Sequence, residues 1–539
     1  MGYRWPADTA FTRRVLTVEN EGCSLCGRRL HICDHRIHRI LTFVGPVEIV
    51  CKLAHCPAAD CPARAHTLSP FAEAQLTLPR WVIGWDVFCW LGHRRFARHW
   101  SVPQLRAELR DSYGITLSED ALADYLRLYQ TMVAARHQDA ALLVQTYRDI
   151  PDLVLTIDGL QPEKGHETLY VVRELRAKRV WFAEALLSSG AEEIRRLVTK
   201  AKQWAEQLGK PVALWMSDKQ DAFLQAVAAE FKGVPHRYCQ NHFLRDVAEE
   251  VLEADSHAKV KMRSKVRGLR AVERQALAEA RAGNRDGRSA GGGRRGAGLL
   301  RGGPGDPQRR PGRAAATTGP AHGRGLDRGA GVAPAESGRE KRGRAEKQLK
   351  RLAGRIDRGV QAVAHEQQQV RAHVAEVREI AATLDPDGGS GTQRQERFEQ
   401  VQQRLAASDD GVRVQMAVVM AAFAVGLFAG EDVADVPRDN LDLERWFRLP
   451  KGHERRIHGR RHAGVRIVQQ GATLALVLDA HRGHPEPFAA TDLCPYRHAK
   501  PPPDEQAALQ RRKVMRKARS KKKRRLLLAE LEKRYLHAP

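Results

Sequence analysis

The sequence predicts a multidomain α+β protein, and three observations carry that expectation. A chain of 539 residues exceeds what one ordinary core organises. Six of its nine cysteines fall between Cys23 and Cys61, around two short β-type runs, Arg39 to Val44 and Val47 to Leu53, joined by Gly45-Pro46. Residues 151 to 242 then alternate between period-2 and period-3.6 hydrophobicity in the order β, β, β, α, β, α, β, which describes a mixed sheet with three leading strands.

The elements follow from local signals. Residues 20 to 70 form a Cys/His-rich head, a hairpin between two cysteine knuckles. From Trp81 to Arg136 the pattern is helical, with capping signals at Ser101 followed by Gln104 and at Ser118 followed by Glu119 and Asp120. Helices near 102–111 and 119–135, joined by Tyr113-Gly114-Ile115-Thr116, make a helix-turn-helix, an arrangement that serves DNA reading or plain packing. The α/β region places strands at Leu153–Ile157, Thr168–Glu174, Val180–Leu187, Val212–Met216 and His236–Cys239, with helices at 191–208 and 221–231. Helical sequence continues through Arg281, after which Gly283 to Arg344 is Gly, Arg, Ala and Pro without periodicity and supplies no core. Apolar residues from Leu349 to Leu384 recur at steps of three and four, marking one long amphipathic helix that pairs as a coiled coil or packs on the chain's own body. The apolar run Val414 to Gly430 contains Gln415 and falls short of the roughly 20 residues a spanning helix needs, so a buried helix is expected. Arg511 to Arg534 is a Lys/Arg-rich helical tail, suited to phosphates or to a solvated end. The expected domains are 1–70, 71–148, 149–243, 244–430, 431–490 and 491–539.

Charge narrows the partners. Lys and Arg outnumber Asp and Glu by 90 to 64, giving a net charge of +26 and a pI near 10.0, which favours a polyanion, nucleic acid first. The basic residues are spread from 13 to 534 instead of forming one amphipathic helix beside an apolar anchor, so no membrane partner is expected. Met1 to Asn20 lacks a continuous apolar core, which predicts no secretory leader and a cytoplasmic location. In that compartment clustered cysteines point to metal before disulfides.

Two sets of residues carry chemistry. Cys23-x2-Cys26 and Cys56-x4-Cys61, at the ends of the hairpin, bring four thiolates to a tetrahedral Zn²⁺ that leaves no position for water and is therefore structural. Cys33, His35 and Cys51 are left over, Cys51 reading as a buried thiol in a strand. Asp158 ends the first strand and Asp218 the fourth; where those strands are neighbours, both carboxylates reach one cation, and Mg²⁺ prefers such oxygen ligands. A lone Asp after a strand is commonly a helix N-cap, and Asp218 precedes a helix. Cys239-Gln-Asn-His242 has metal-ligand spacing but no second pair, so packing or hydrogen bonding is its plainer role.

Asp158, Asp218 in Ser-Asp-Lys-Gln-Asp-Ala-Phe, Cys239-x2-His242, and Asn440-Leu-Asp-Leu-Glu444-Arg-Trp-Phe-Arg448 together resemble bacterial insertion-sequence DDE transposases of the Mutator-like group, over most of residues 20–280 and 430–480. The resemblance implies an N-terminal zinc ribbon, a helix-turn-helix domain and an RNase H-like core interrupted by a long helical insertion, here roughly 243 to 430. It implies Glu444 as third acid, with Glu431, Asp439, Asp442 and Glu454 as competitors. Asp158, Asp218 and Glu444 would then hold two Mg²⁺ or Mn²⁺ ions, one activating water or a 3′-hydroxyl and the other stabilising the leaving 3′-oxygen, without a protein nucleophile. Further implications are strand cleavage and transfer at terminal inverted repeats, double-stranded DNA as partner, a homo-oligomer on paired ends, and a place at the bacterial nucleoid. Arg445, Arg448, Lys451, Arg455, Arg456, Arg460 and Arg461 follow the third acid and would clamp phosphates, or form a solvated face.

The chain departs from that family at 283 to 344, where helices are expected. Around Gly302 to Pro307, dropping one base turns Asp306 into an Ile or Thr codon, so a double frameshift and a genuine linker both fit. A frameshifted copy would be a decayed or domesticated transposase that binds DNA without cutting. A Holliday-junction resolvase of the same fold is the other rival, disfavoured by the cysteine head and the insertion.

Overall fold

A computed structural model describes residues 3–161, 167–265, 344–459 and 463–537 of the chain. The Gly/Arg/Pro run at 283 to 343 therefore lies outside the described residues, as do Arg460 and Arg461. The architecture is mixed α/β with two mixed sheets, and the chain divides into two compact units: Met1–Val234 with Asp435–Pro437 and Leu441–Pro539, and Pro235–Ala434 with Arg438–Asn440.

The first unit opens with strands β1 (Thr12–Leu16), β2 (His31–Thr42) and β3 (Gly45–His55), ordered β1-β3-β2, with β1 parallel and β2 antiparallel to β3. The hairpin turn is Phe43-Val44, two residues before the expected Gly45-Pro46, because Thr42↔Gly45 and Leu41↔Pro46 already pair. Pro46 is tolerated there since β1 starts pairing with β3 only at Val47. Five helices follow: α1 (Phe71–Leu76), α2 (Trp85–Phe96), α3 (Val102–Tyr113), α4 (Glu119–His137) and α5 (Ala140–Thr146). Ser101 and Gln104 form the anticipated capping box of α3, and Gly114, at φ 66°, ends it. Ser118 caps α4 by accepting the Ala121 N–H.

Helices α2 and α4 pack so closely that a Cβ at Gly92 would sit 2.2 Å from the Tyr129 ring. Gly92→Ala is accordingly expected to cost about 1–3 kcal/mol through overpacking. Thermal melts followed by circular dichroism check this; an unchanged midpoint would mean that the Tyr129 ring yields freely.

The second sheet of this unit holds β4 (Leu153–Leu160), β5 (Thr168–Glu174), β6 (Arg179–Leu186) and β7 (Val212–Ser217), ordered β6-β5-β4-β7. Only β4 and β7 run parallel. Strand alternation splits the side chains between two cores. Leu155, Ile157, Val172 and Trp215 pack with α6 (Ala191–Leu208) and α7 (Asp221–Glu230), whereas Leu160, Val171 and Val180 pack on the opposite face against the helix Gly464–Gly483. Helices Leu441–Trp446, Arg448–His458, Ala490–Leu493, Pro503–Arg519 and Lys521–Leu536 also belong to the unit. The basic tail is thus two helices meeting at Ser520, and it is anchored: Glu505 accepts from Thr473 N–H at 3.1 Å and Thr473 Oγ1 at 3.0 Å.

The second unit comprises strand His236–Tyr238 and helices Gln240–Val247, Glu249–Lys265, Arg344–Gln361, Ala364–Thr383, Gly391–Ala406 and Gly411–Leu427, around Phe243, Phe398 and Phe423. The long helix expected from 349 to 384 is two helices. Val363 leaves helical geometry (φ −125°, ψ 11°) yet stays buried, so the apolar period runs through the break unchanged. Gly411–Leu427 buries Met416, Met420 and Phe423 but exposes Val414, Val418 and Val425, so it is buried on one face only, not throughout. Among the described residues no helix is long and apolar enough to cross a membrane.

Candidate metal centres

Strand register brings the two aspartates level. β4 pairs with β7 through Leu155↔Trp215 and Thr156↔Met216, and Asp158 and Asp218 each lie two residues beyond the last pair. They therefore share a sheet face at the same ends of adjacent parallel strands. Asp158 is not at the end of its strand, as expected, but inside it: pairing with β7 stops while pairing with β5 continues to Leu160↔Leu169. Asp218 does follow the end of β7, and it is not a cap, since α7 starts at Asp221 behind Gln220.

Burial, then the charge of Asp218, and further the charge of Glu444 push the Asp158 carboxyl up to about 7; the Gly159 N–H, which donates to its Oδ1 at 2.7 Å, and Lys451 act in the opposite sense. Three acids from β4, the end of β7 and the helix Leu441–Trp446 thus lie within one electrostatic neighbourhood. Gly159 makes room beside them: a Cβ there would come 2.8 Å from Thr168 Cγ2 and 3.0 Å from Tyr170 Cε1, so that a neighbouring side chain would have to shift. The Tyr170 hydroxyl, bonded to Ser189, is held above its ordinary pKa by burial and by the charges of Asp218 and Asp158.

Three of the four other candidates for third acid have partners of their own. Asp442 accepts from Arg173 Nε at 2.8 Å. Glu454 is buried and accepts from Gln470 Nε2 at 2.7 Å, and Glu431 pairs with Arg394. Of the anticipated phosphate ligands, Arg445, Arg448, Arg455 and Arg456 are exposed, and Arg448, Lys451 and Arg455 occupy positions i, i+3 and i+7 of one helix face. Lys451 is half-buried and acts on Asp158, a link that reading a surface charge run does not supply.

In the head, Cys23, Cys26, Cys56 and Cys61 place their sulfurs within 4.8 Å of one another. Cys23 Sγ lies 3.8 Å from Cys61 Sγ, and Cys26 Sγ 3.5 Å from Cys56 Sγ. A tetrahedron with Zn–S of about 2.3 Å has an S···S edge of roughly 3.8 Å, so the cluster is compatible with a structural zinc site, whereas a disulfide at about 2.05 Å is not approached. Backbone N–H groups of Leu25 and Cys26 hold the Cys23 thiol down to about 7. The knuckle closes through Gly27, at φ 71°, whose N–H donates to Cys23 O at 2.8 Å. Cys33 is exposed and lies against Leu53 O, and His35 is exposed. Cys51 is fully buried, its thiol pushed up to about 11 by burial and by Glu73.

Within the second unit, Cys239 is buried and accepts the Asn440 N–H at 3.2 Å, while burial pushes its thiol up to about 12. Its sulfur thus ties the start of Gln240–Val247 to Asn440, with His242 one turn along the helix. Sequence reasoning also missed Arg173 and Asp479. The available signal was Arg173 itself, a charge inside the strand Thr168–Glu174, since a fully buried charge needs a partner. No protein-family model matches the chain, and no curated protein matches it.

Proposed function

We propose that this protein is a DDE-type DNA transposase, a metal-dependent polynucleotidyl transferase that cleaves and joins strands at insertion-sequence ends. The observation that carries the reading is that Asp158 and Asp218 stand level on adjacent parallel strands, and that burial, then the charge of Asp218 and further that of Glu444, push Asp158 up to about 7. Mutual repulsion of this kind is relieved by a divalent cation, and three hard oxygen donors suit Mg²⁺ or Mn²⁺. Bound there, two such ions would supply Lewis acidity and charge neutralisation for in-line displacement at phosphorus. The acids hold and orient; no side chain needs to act as nucleophile. Arg448, Lys451 and Arg455 hold phosphates beside them. On this reading the sheet β6-β5-β4-β7 belongs to an RNase H-like core, the second unit is its helical insertion, the cysteine head is a zinc ribbon, and α3–α4 is a DNA-reading helix-turn-helix. The protein works as a homo-oligomer on double-stranded DNA in the bacterial cytoplasm.

The direct test is nicking of duplexes that carry the sequences flanking the gene, with and without Mg²⁺ or Mn²⁺. Binding without nicking would point instead to a decayed copy that only occupies DNA.

A pH dependence follows as well. A carboxyl raised in the folded state contributes stability that is present below its ordinary value of 3.8 and lost as pH rises through about 7. The metal-free protein should therefore lose stability over that window, and Mn²⁺ should raise its melting temperature more at pH 8 than at pH 5. An Mn²⁺ effect that is flat with pH would argue against coordination by Asp158.

A further inference from the structure

The helix Leu441–Trp446 is fastened to the sheet by a polar network that runs through its Asp442 and Trp446. Arg173, on β5 and fully buried, donates from Nε to Asp442 Oδ2 at 2.8 Å and from Nη1 to Asp479 Oδ1 at 3.0 Å. Asp479, on the helix Gly464–Gly483, also accepts from Trp446 Nε1 at 2.8 Å and from the Val180 N–H of β6 at 2.8 Å. His137 Nε2, at the end of α4, lies 3.3 Å from the same carboxylate. Burial opposes the charge on Asp479, but His137, Arg173 and the Val180 N–H outweigh it and hold the carboxyl down to about 2.

Asp442 and Trp446 stand at i and i+4, on one side of their helix, and Glu444 lies midway between them in sequence, about 200° around the axis and so on the other side. Two anchors on one side fix the rotation and height of a short helix, and with them the direction of Glu444. The sheet end of the link is equally specific. Arg173 pairs across β4 with Thr156, one same-face step from Asp158, which pairs with Val171. An apolar contact would bury the helix at less electrostatic cost but would leave it free to slide or turn; directional bonds do not.

We propose that Asp479, acting through Arg173, Asp442 and Trp446, is a positioning residue that sets Glu444 opposite Asp158. Its functional importance rests on the metal-site reading above; its geometry does not. The test joins the two acids' positions without metal. In the full-length Asp158→Cys/Glu444→Cys chain, bridging by a short bis-maleimide is followed by peptide mass spectrometry. Adding Asp479→Asn should slow bridging at least tenfold. Adding Asp442→Asn, at the more solvent-accessible end of the network, should slow it as well and serves if the chain carrying Asp479→Asn does not fold.

Adding Gly92→Ala instead, which only destabilises, should leave the rate unchanged. Equal rates in the network variants and the parent, or equal slowing by Gly92→Ala, would overturn the proposal. In chains with all three acids intact, Mn²⁺ titration by electron paramagnetic resonance should show Asp479→Asn weakening binding roughly 10–100-fold, the scale for a residue that orients a ligand. If the unaltered protein binds no Mn²⁺, the metal reading fails while the bridging rates still decide the network.

Discussion

On the proposed reading, replacing Asp158 or Asp218 by Asn, or Glu444 by Gln, is expected to lower strand cleavage by on the order of 10³-fold while leaving the affinity for end DNA within about a factor of two, because each change would remove a carboxylate that holds the catalytic cations and nothing that reads sequence. The substitutions keep shape and hydrogen bonding. They also carry a second signature that a merely structural role would not produce. Asp158 is pushed up by burial and by its two acidic neighbours, so Asp158→Asn should stabilise the metal-free protein at pH 8 and abolish its stabilisation by Mn²⁺. Asp442→Asn provides the contrast: its carboxylate is engaged with Arg173, so its loss should weaken cleavage through position alone, by roughly 10–100-fold. Single-turnover nicking beside DNA-binding titrations separates these outcomes. Cleavage by Asp158→Asn within about tenfold of the unaltered protein, or joint loss of binding and cleavage, would remove the acid cluster from the chemistry.

What the sequence made legible was local or periodic. Asp158 and Asp218 could be read because each closes an apolar run, and neighbouring parallel strands then put them level, as the β4–β7 register does. The caps at Ser101 and Ser118 were legible for the same reason, since a cap needs only its next three residues. The misplaced turn at Gly45-Pro46 shows the limit. A breaker pair marks a turn only when no ladder takes it in, and the ladder is a property of three strands, one of which, Thr12–Leu16, gave no signal. Arg173 and Asp479 are 306 residues apart and belong to no motif, so only the folded chain brings them together. The break at Val363 was invisible because the buried side chain keeps its place in the period while the backbone leaves the helix. Glu444 needed both kinds of information: the motif singles it out among five acids, and the fold brings its charge to bear on Asp158.

Chelation of zinc is expected to unfold the two cysteine knuckles and to leave the sheet beside them intact. The apolar cluster under the knuckles consists of the cysteines Cys23, Cys56 and Cys61 with Ala58, flanked by Leu30 and Ala63, too little surface to offset the entropy of ordering those loops. A structural Zn²⁺ in such a setting contributes on the order of 10 kcal/mol. The sheet has a separate cluster, Ile40, Val47, Ile49 and Cys51, that does not depend on the metal. Hydrogen exchange of the full-length protein with and without chelator should therefore show protection lost at Gly22–Arg29 and Cys56–His66 and kept at Val47–Leu53.

Metal analysis should give one zinc per chain, absent in Cys23→Ser or Cys56→Ser and retained in Cys33→Ser and Cys51→Ser, since Cys33 and Cys51 lie outside the cluster. Acid should have the same effect as chelator, because all four ligands must lose protons: the Cys23 thiol does so near neutrality, while the Cys61 thiol, raised to about 12 by burial and by hydrogen bonds to its neighbouring thiols against the Ala63 N–H, ionises only when the metal draws its proton away. Zinc retained in Cys56→Ser, or protection lost throughout the sheet on chelation, would show that the four sulfurs meet for packing and not for a metal.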